Sequence, residues 1–140
     1  MMRGKSAVSL EEIREKLKPV LEDRGLQLIV LFGSGVSGRT HRQSDIDLAF
    51  LFDRPMDILE LTNKIIRLLH TDNIDVVDLK RASPLLKYSV VKNGMRIYER
   101  EQGLFHEFYS LAFRMYIDAK KLRDAQATVI KRFIEARGPA

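Results

Sequence analysis

In the stretch VLFGSGVSGRTHRQSDIDLAF, residues 30–50, a glycine-serine pair precedes an Asp-x-Asp pair, with ten residues between them. Gly33 follows a hydrophobic run and tolerates the tight backbone of a turn, and Ser34 presents a hydroxyl. If Ser34 opens a helix, the unpaired amides beside it point at one spot, which suits a phosphate. A lone Gly-Ser is more often a plain structural turn. The carboxylates carry more information. On a strand, Asp45 and Asp47 project to one side while Ile46, Leu48 and Phe50 project to the other. Two like charges on one face repel unless solvent, a basic group or a cation compensates them. Magnesium does so through hard oxygen ligands, and triphosphate oxygens complete its shell. Two such ions would activate an attacking hydroxyl and neutralise charge developing on phosphate.

A third carboxylate is available in NIDVVDL, residues 73–79. Asp75 shares a face with Val77 and Leu79, whereas Asp78 shares the other with Val76. Asp75, central in a hydrophobic strand and in need of a partner, is the preferred member of the cluster and a candidate general base; Asp78 is the competing choice, and opposite parity keeps both from joining one site unless the strand twists or ends early. The alternative reading has Asp45 capping a turn, Asp47 on an exposed strand edge and Asp75 paired with a Lys or Arg. Arg39 and Arg42, in the intervening loop, could approach a triphosphate or be ordinary solvated side chains.

The elements that must hold these groups can be placed from pattern. Ser9 and Glu12 fit a capping box, with Val8 and Ile13 at hydrophobic-staple spacing, and Leu10, Ile13, Leu17, Val20 and Leu21 form the stripe of one helix. LQLIVLF, residues 26–32, is apolar except at Gln27 and runs on without alternation, as in a strand buried on both faces. DIDLAFLF, residues 45–52, is a second strand. Pro55 and Asp57 introduce a helix anchored by Ile58, Leu61, Ile65 and Leu69. Ser83 and Pro84 open a short helix stopped by Gly94, and RIYE is a small strand. From about Gly103, Phe105, Phe108, Leu111, Ala112, Met115 and Tyr116 continue helically. Leu122, Val129, Ile130, Phe133 and Ile134 extend the pattern, after a bend or as a second helix. These apolar residues would cover the sheet or face a protein partner.

A chain of 140 residues fits one globular domain and can bury a core. With 45% hydrophobic and 31% charged residues, it is neither disordered nor membrane-spanning by composition. The first residues run straight into a charged amphipathic pattern, without the apolar segment of a signal peptide. Absence of cysteine excludes disulfides and thiolate metal sites. The net charge of +5 is uneven: residues 1–44 carry 8 Lys/Arg against 5 Asp/Glu, 45–100 carry 9 against 9, and 101–140 carry 7 against 5. Basic ends would favour ATP, RNA or an acidic partner, or be a solvated surface. His41, His70 and His106 are too dispersed for a metal site, and Tyr88, Tyr98, Tyr109 and Tyr116 have packing spacing.

Gly33-Ser34, ten residues and Asp45-x-Asp47, followed by IDVVDL, resemble the minimal nucleotidyltransferases of the DNA polymerase beta-like superfamily over about residues 26–99. The resemblance implies an α/β, polymerase beta palm-like fold: a small mixed or antiparallel sheet flanked by helices, with the pocket at the end of the first two strands and a helical C-terminus. Residues 1–140 would form one nucleotidyltransferase domain, with a catalytic core at 8–100 and a helical extension at 103–137 packed on the core and open to a partner. Gly33 and Ser34, with Arg39 or Arg42, would hold ATP, and Asp45, Asp47 and Asp75 would bind two Mg2+ ions. Asp75 would also assist deprotonation of the attacking hydroxyl. The small size and helical C-terminus resemble the stand-alone prokaryotic antitoxins that pair with HEPN ribonucleases and transfer AMP to a toxin tyrosine. Such a protein would be cytoplasmic, free of membrane, and part of a hetero-oligomer or homo-oligomer, with direct nucleic-acid binding left open. The other readings are a binding-only antitoxin that masks the ribonuclease, or transfer to RNA or a small molecule.

Overall fold

Capping residues set where the helices begin. In the computed structural model, which describes residues 9–33 and 46–137, Ser9 is extended. Its Oγ accepts from the Glu12 amide at 3.0 Å, while Glu12 Oε1 accepts from the Ser9 amide at 3.3 Å. This capping box opens α1 (Leu10–Lys16). Val8, the other half of the proposed staple, lies outside the described residues. The stripe expected to run through one helix is split at Leu17, after which Pro19 sits in the first turn of the four-residue α2 (Lys18–Leu21). Proline has no N–H to continue the ladder but fits a first turn. The apolar face survives the break, with Ile13, Leu17 and Val20 all buried.

β1 (Leu26–Phe32) and β2 (Ile46–Phe52) follow. Asp57 then caps α3 (Ile58–Leu69), its Oδ1 accepting from the amides of Leu59 and Glu60 at 3.1 and 3.2 Å. Ile65 and Leu69 are buried and Leu61 packs beside them, but Ile58, at the helix's opening position, stays 39% exposed. α3 ends at His70 in the left-handed conformation and leads to β3 (Ile74–Asp78). Ser83 and Pro84 open α4 (Pro84–Asn93). Gly94 stops it in an extended conformation, not a left-handed cap. Glycine is needed there for proximity: a Cβ would lie 2.6 Å from Val30 Cγ1 and 2.8 Å from the Leu31 carbonyl oxygen. β4 (Met95–Glu99) completes the sheet.

Strand order is β3-β2-β1-β4, with β1 antiparallel to both neighbours and β2 parallel to β3. The sheet is therefore mixed, because the α3 crossover returns the chain to the same end before β3 begins. One face is covered by α1, α2 and α3, whose Ile13, Leu17, Ile65 and Leu69 pack with Ile29, Leu48 and Phe50. On the other face, Val30, Ala49 and Leu79 meet Val90 of α4. Two covered faces account for the apolar run of β1 from Leu28 to Phe32.

The C-terminal segment is one α-helix, α5 (Leu104–Arg137), with neither the expected bend nor a second helix. No Gly or Pro interrupts residues 104–137. Its start is fixed by Glu99, whose Oε1 accepts from the Phe105 amide at 2.9 Å. Phe105 and Phe108 pack on the second core, and Tyr88 of α4 stacks on Tyr116 with ring centroids 4.8 Å apart. From residue 120 to 137 every side chain is exposed. The apolar residues expected to cover the sheet thus divide into a packed half and an uncovered half. Among the described residues, no helix is long and apolar enough to cross a membrane.

Candidate active site

Because β1 runs antiparallel to β2, the end of β1 lies beside the beginning of β2, and the parallel β3 begins at the same edge. Phe32, the last residue of β1, is in register with Asp47, and Asp47 is in register with Asp75. Residues opposite one another in register project from the same face, with strands about 4.8 Å apart. The two carboxylates therefore sit side by side at one edge of the sheet, Asp47 half-buried and Asp75 exposed. The predicted strand parity holds. Val77 and Leu79, which follow Asp75 at alternate positions, pack on the second core, while Ile74 and Val76 pack on the first.

Asp78 has the opposite parity and a different task. Its Oδ1 accepts from the Lys80 amide at 3.0 Å, closing the turn after β3. The geometry brings Asp75, not Asp78, next to Asp47.

Gly33 completes this edge. Its φ of +83° lies where side chains are strained, and a Cβ built there would collide with Asp47 Oδ2 and lie 2.8 Å from Asp47 Cγ. Glycine here leaves the backbone of residue 33 directly against the Asp47 carboxylate. Ser34, Arg39, Arg42 and Asp45 lie outside the described residues. Phe32, in register with Asp47 at this edge, carries no chemical signature in the sequence.

The described donors at this edge are carboxylate oxygens, a set suited to a hard divalent cation and unlike the nitrogen and sulfur sets that favour zinc. The Arg54 guanidinium, bonded to Asp23 at 2.6 and 3.1 Å, holds that carboxyl below its usual range. The Phe105 amide does the same for Glu99. Both serve the scaffold. His70 is a helix cap, His106 is exposed beside Phe105, and Tyr88, Tyr109 and Tyr116 pack together.

A sequence profile described as "Polymerase beta, Nucleotidyltransferase" matches residues 15–103, which contain this whole edge. The chain belongs to that family. The nucleotidyltransferase is 26% identical to protein adenylyltransferase MntA of Aphanizomenon flos-aquae, over 93% of its own length and 95% of the relative's. It also superposes on a chain in the crystal structure of a toxin-antitoxin with AMP-PNP, with a TM-score of 0.70 and 33% identity, covering 84% of this chain and 98% of that one. A chain in the complex of tri-AMPylated Shewanella oneidensis HEPN toxin with MNT antitoxin gives a TM-score of 0.68 at 28% identity, covering 88% and 99%. The mixed sheet, its flanking helices and the helical C-terminal extension are those of a polymerase beta-like nucleotidyltransferase.

Proposed function

We propose that this nucleotidyltransferase transfers AMP from ATP to a tyrosine hydroxyl of a HEPN ribonuclease toxin, and that it acts as the toxin's antitoxin in the cytoplasm, where ATP is made available. The observation that carries the transfer chemistry is the juxtaposition of Gly33, Asp47 and Asp75 at one sheet edge. The acceptor rests on the relatives: one is a protein adenylyltransferase, and one superposed chain comes from a complex with an AMPylated HEPN toxin.

In this reading residues 8–100 are the catalytic core and 103–137 an extension that packs on it and reaches toward the partner. Gly33 and Ser34 hold the β- and γ-phosphates, with Arg39 or Arg42 beside them. Asp45, Asp47 and Asp75 would hold two Mg2+ ions, which when bound supply charge neutralisation at the phosphates and acidify the acceptor hydroxyl. Asp75 takes the hydroxyl proton. The tyrosine oxygen then forms a bond to the α-phosphorus, the bond from that phosphorus to the bridging oxygen breaks, and pyrophosphate leaves. Positioning and electrostatic stabilisation supply the rate.

The test combines the purified chain, ATP, Mg2+ and the ribonuclease. A covalent AMP adduct mapped to a tyrosine by mass spectrometry, lost by at least about a hundred-fold in Asp47→Asn, is expected. Tight inhibition of the ribonuclease without an adduct would identify masking as the mechanism, and extension of RNA would identify a different acceptor.

A further inference from the structure

α5 carries an apolar seam with strict alternation of three and four residues. Phe105, Phe108, Ala112 and Met115 form its first part, and Ala119, Leu122, Gln126, Val129 and Phe133 its second. This is the heptad spacing of a left-handed helix pair. The first part is already used: Phe105 and Phe108 pack on the core, Ala112 is buried, and Tyr88 of α4 lies against the same half of the helix. The second part continues in phase but is bare, with Leu122, Val129 and Phe133 exposed to 59%, 64% and 58%.

The flanks of the bare part tell which helix fits it. With Gln126 and Phe133 at a positions, Arg123, Ile130 and Arg137 occupy e positions and Ala125 and Arg132 g positions; Asp118, at the g position just before the bare part, is the one acidic flank, and between 119 and 137 no Asp or Glu falls at e or g. The Arg137 guanidinium lies over the Phe133 ring, 4.6 Å from its centroid, at the rim of the seam. The acidic residues, Asp124 and Glu135, fall on the outer face, where Asp124 pairs with Lys120. A second copy of this chain would set arginine against arginine in either orientation. An amphipathic helix flanked by Asp and Glu would meet complementary charge on both sides.

We infer that residues 119–137 are one strand of a heterotypic coiled-coil contact, whose other strand is an acidic-flanked amphipathic helix of the ribonuclease partner. Gln126 at an a position sets the register of the pair. This rests on the reading that a HEPN ribonuclease is the partner. The experiment is calorimetric titration of the chain with purified ribonuclease, comparing wild type, Leu122→Asp/Val129→Asp, and Arg123→Glu/Arg132→Glu/Arg137→Glu. Circular dichroism and binding of ATP with Mg2+ report that each variant is folded. The apolar variant is expected to weaken the complex by about thirty-fold or more. The charge variant is expected to weaken it by about ten-fold and to flatten its salt dependence. Wild-type affinity for both variants overturns the inference while leaving the partner intact. It is equally overturned if the variants abolish self-association of the chain, or its binding to anionic vesicles or RNA, and spare the ribonuclease. Failure of the wild-type chain to bind the ribonuclease overturns the partner reading together with this one.

Discussion

Asp47 and Asp75 stand in register on adjacent parallel strands, an arrangement in which like charges disfavour each other. Their placement yields a sign that is easy to measure. Without metal, Asp75→Asn should melt at or slightly above the wild-type temperature, since it removes one of two neighbouring charges. Added Mg2+ should raise the melting temperature of the wild type and leave the variant almost unmoved. Asp78→Asn should keep both the metal response and nucleotidyl transfer, because Asp78 faces the other way and closes a turn. Gly33→Ala tests the turn itself: a Cβ would be strained by the left-handed φ and would press on Asp47. It should cost about 1 kcal/mol or more of stability and raise the KM for ATP, read from urea unfolding and steady-state kinetics. That Asp75 and Asp78 lie on opposite faces of β3 was legible in the sequence because strand parity is strictly two-residue. That Gly33 abuts Asp47 was not, since it depends on how two strands far apart in the chain approach.

Element boundaries were written mostly in capping residues, and the exceptions have local causes. Ser9, Asp57 and Ser83 each cap the helix that follows them. Pro19 divides a stripe whose periodicity alone reads as one helix. Gly94 is required by a neighbouring strand, which no local pattern records. The start of α5 depends on Glu99, at the end of β4, accepting from the Phe105 amide and lying 3.4 Å from the Arg96 guanidinium. The amide bond, more than Arg96, lowers the Glu99 pKa in the folded state. A lowered folded pKa means that the carboxylate stabilises the fold above its unfolded pKa, about 4.3, and that this contribution disappears as pH falls through the lower folded value. Glu99→Gln should therefore melt below wild type at pH 7, with the gap closing progressively as the pH is taken below about 4. Parallel thermal melts of the two proteins across that range would detect it, and a gap that persists unchanged would show that ionisation is not what Glu99 contributes.

At the scale of the molecule, the fold class was legible and the strand order only in part. The twelve-residue α3 between β2 and β3 demands a parallel return, whereas β4 joins β1 through contacts that local pattern does not encode. The resulting sheet couples the acidic edge to the core. Phe50, fully buried and stacked on Phe52 at 6.3 Å, lies on the same strand as Asp47 and faces the α1 and α3 side. Truncating it in Phe50→Ala should cost about 3–5 kcal/mol. That is a large fraction of the stability of a domain this size, commonly about 5–15 kcal/mol. A ligand that binds only the folded state opposes such a loss, by about 2.7 kcal/mol at a hundred times its Kd. ATP with Mg2+ should therefore move the urea midpoint of Phe50→Ala back toward that of the ligand-free wild type. The same addition should do little for Phe50→Ala combined with Asp75→Asn, because the site that captures the ligand is then impaired. Recovery of both variants to the same degree would place nucleotide binding away from the Asp47–Asp75 edge, so the comparison tests the location of the site through the stability of a residue that never touches it.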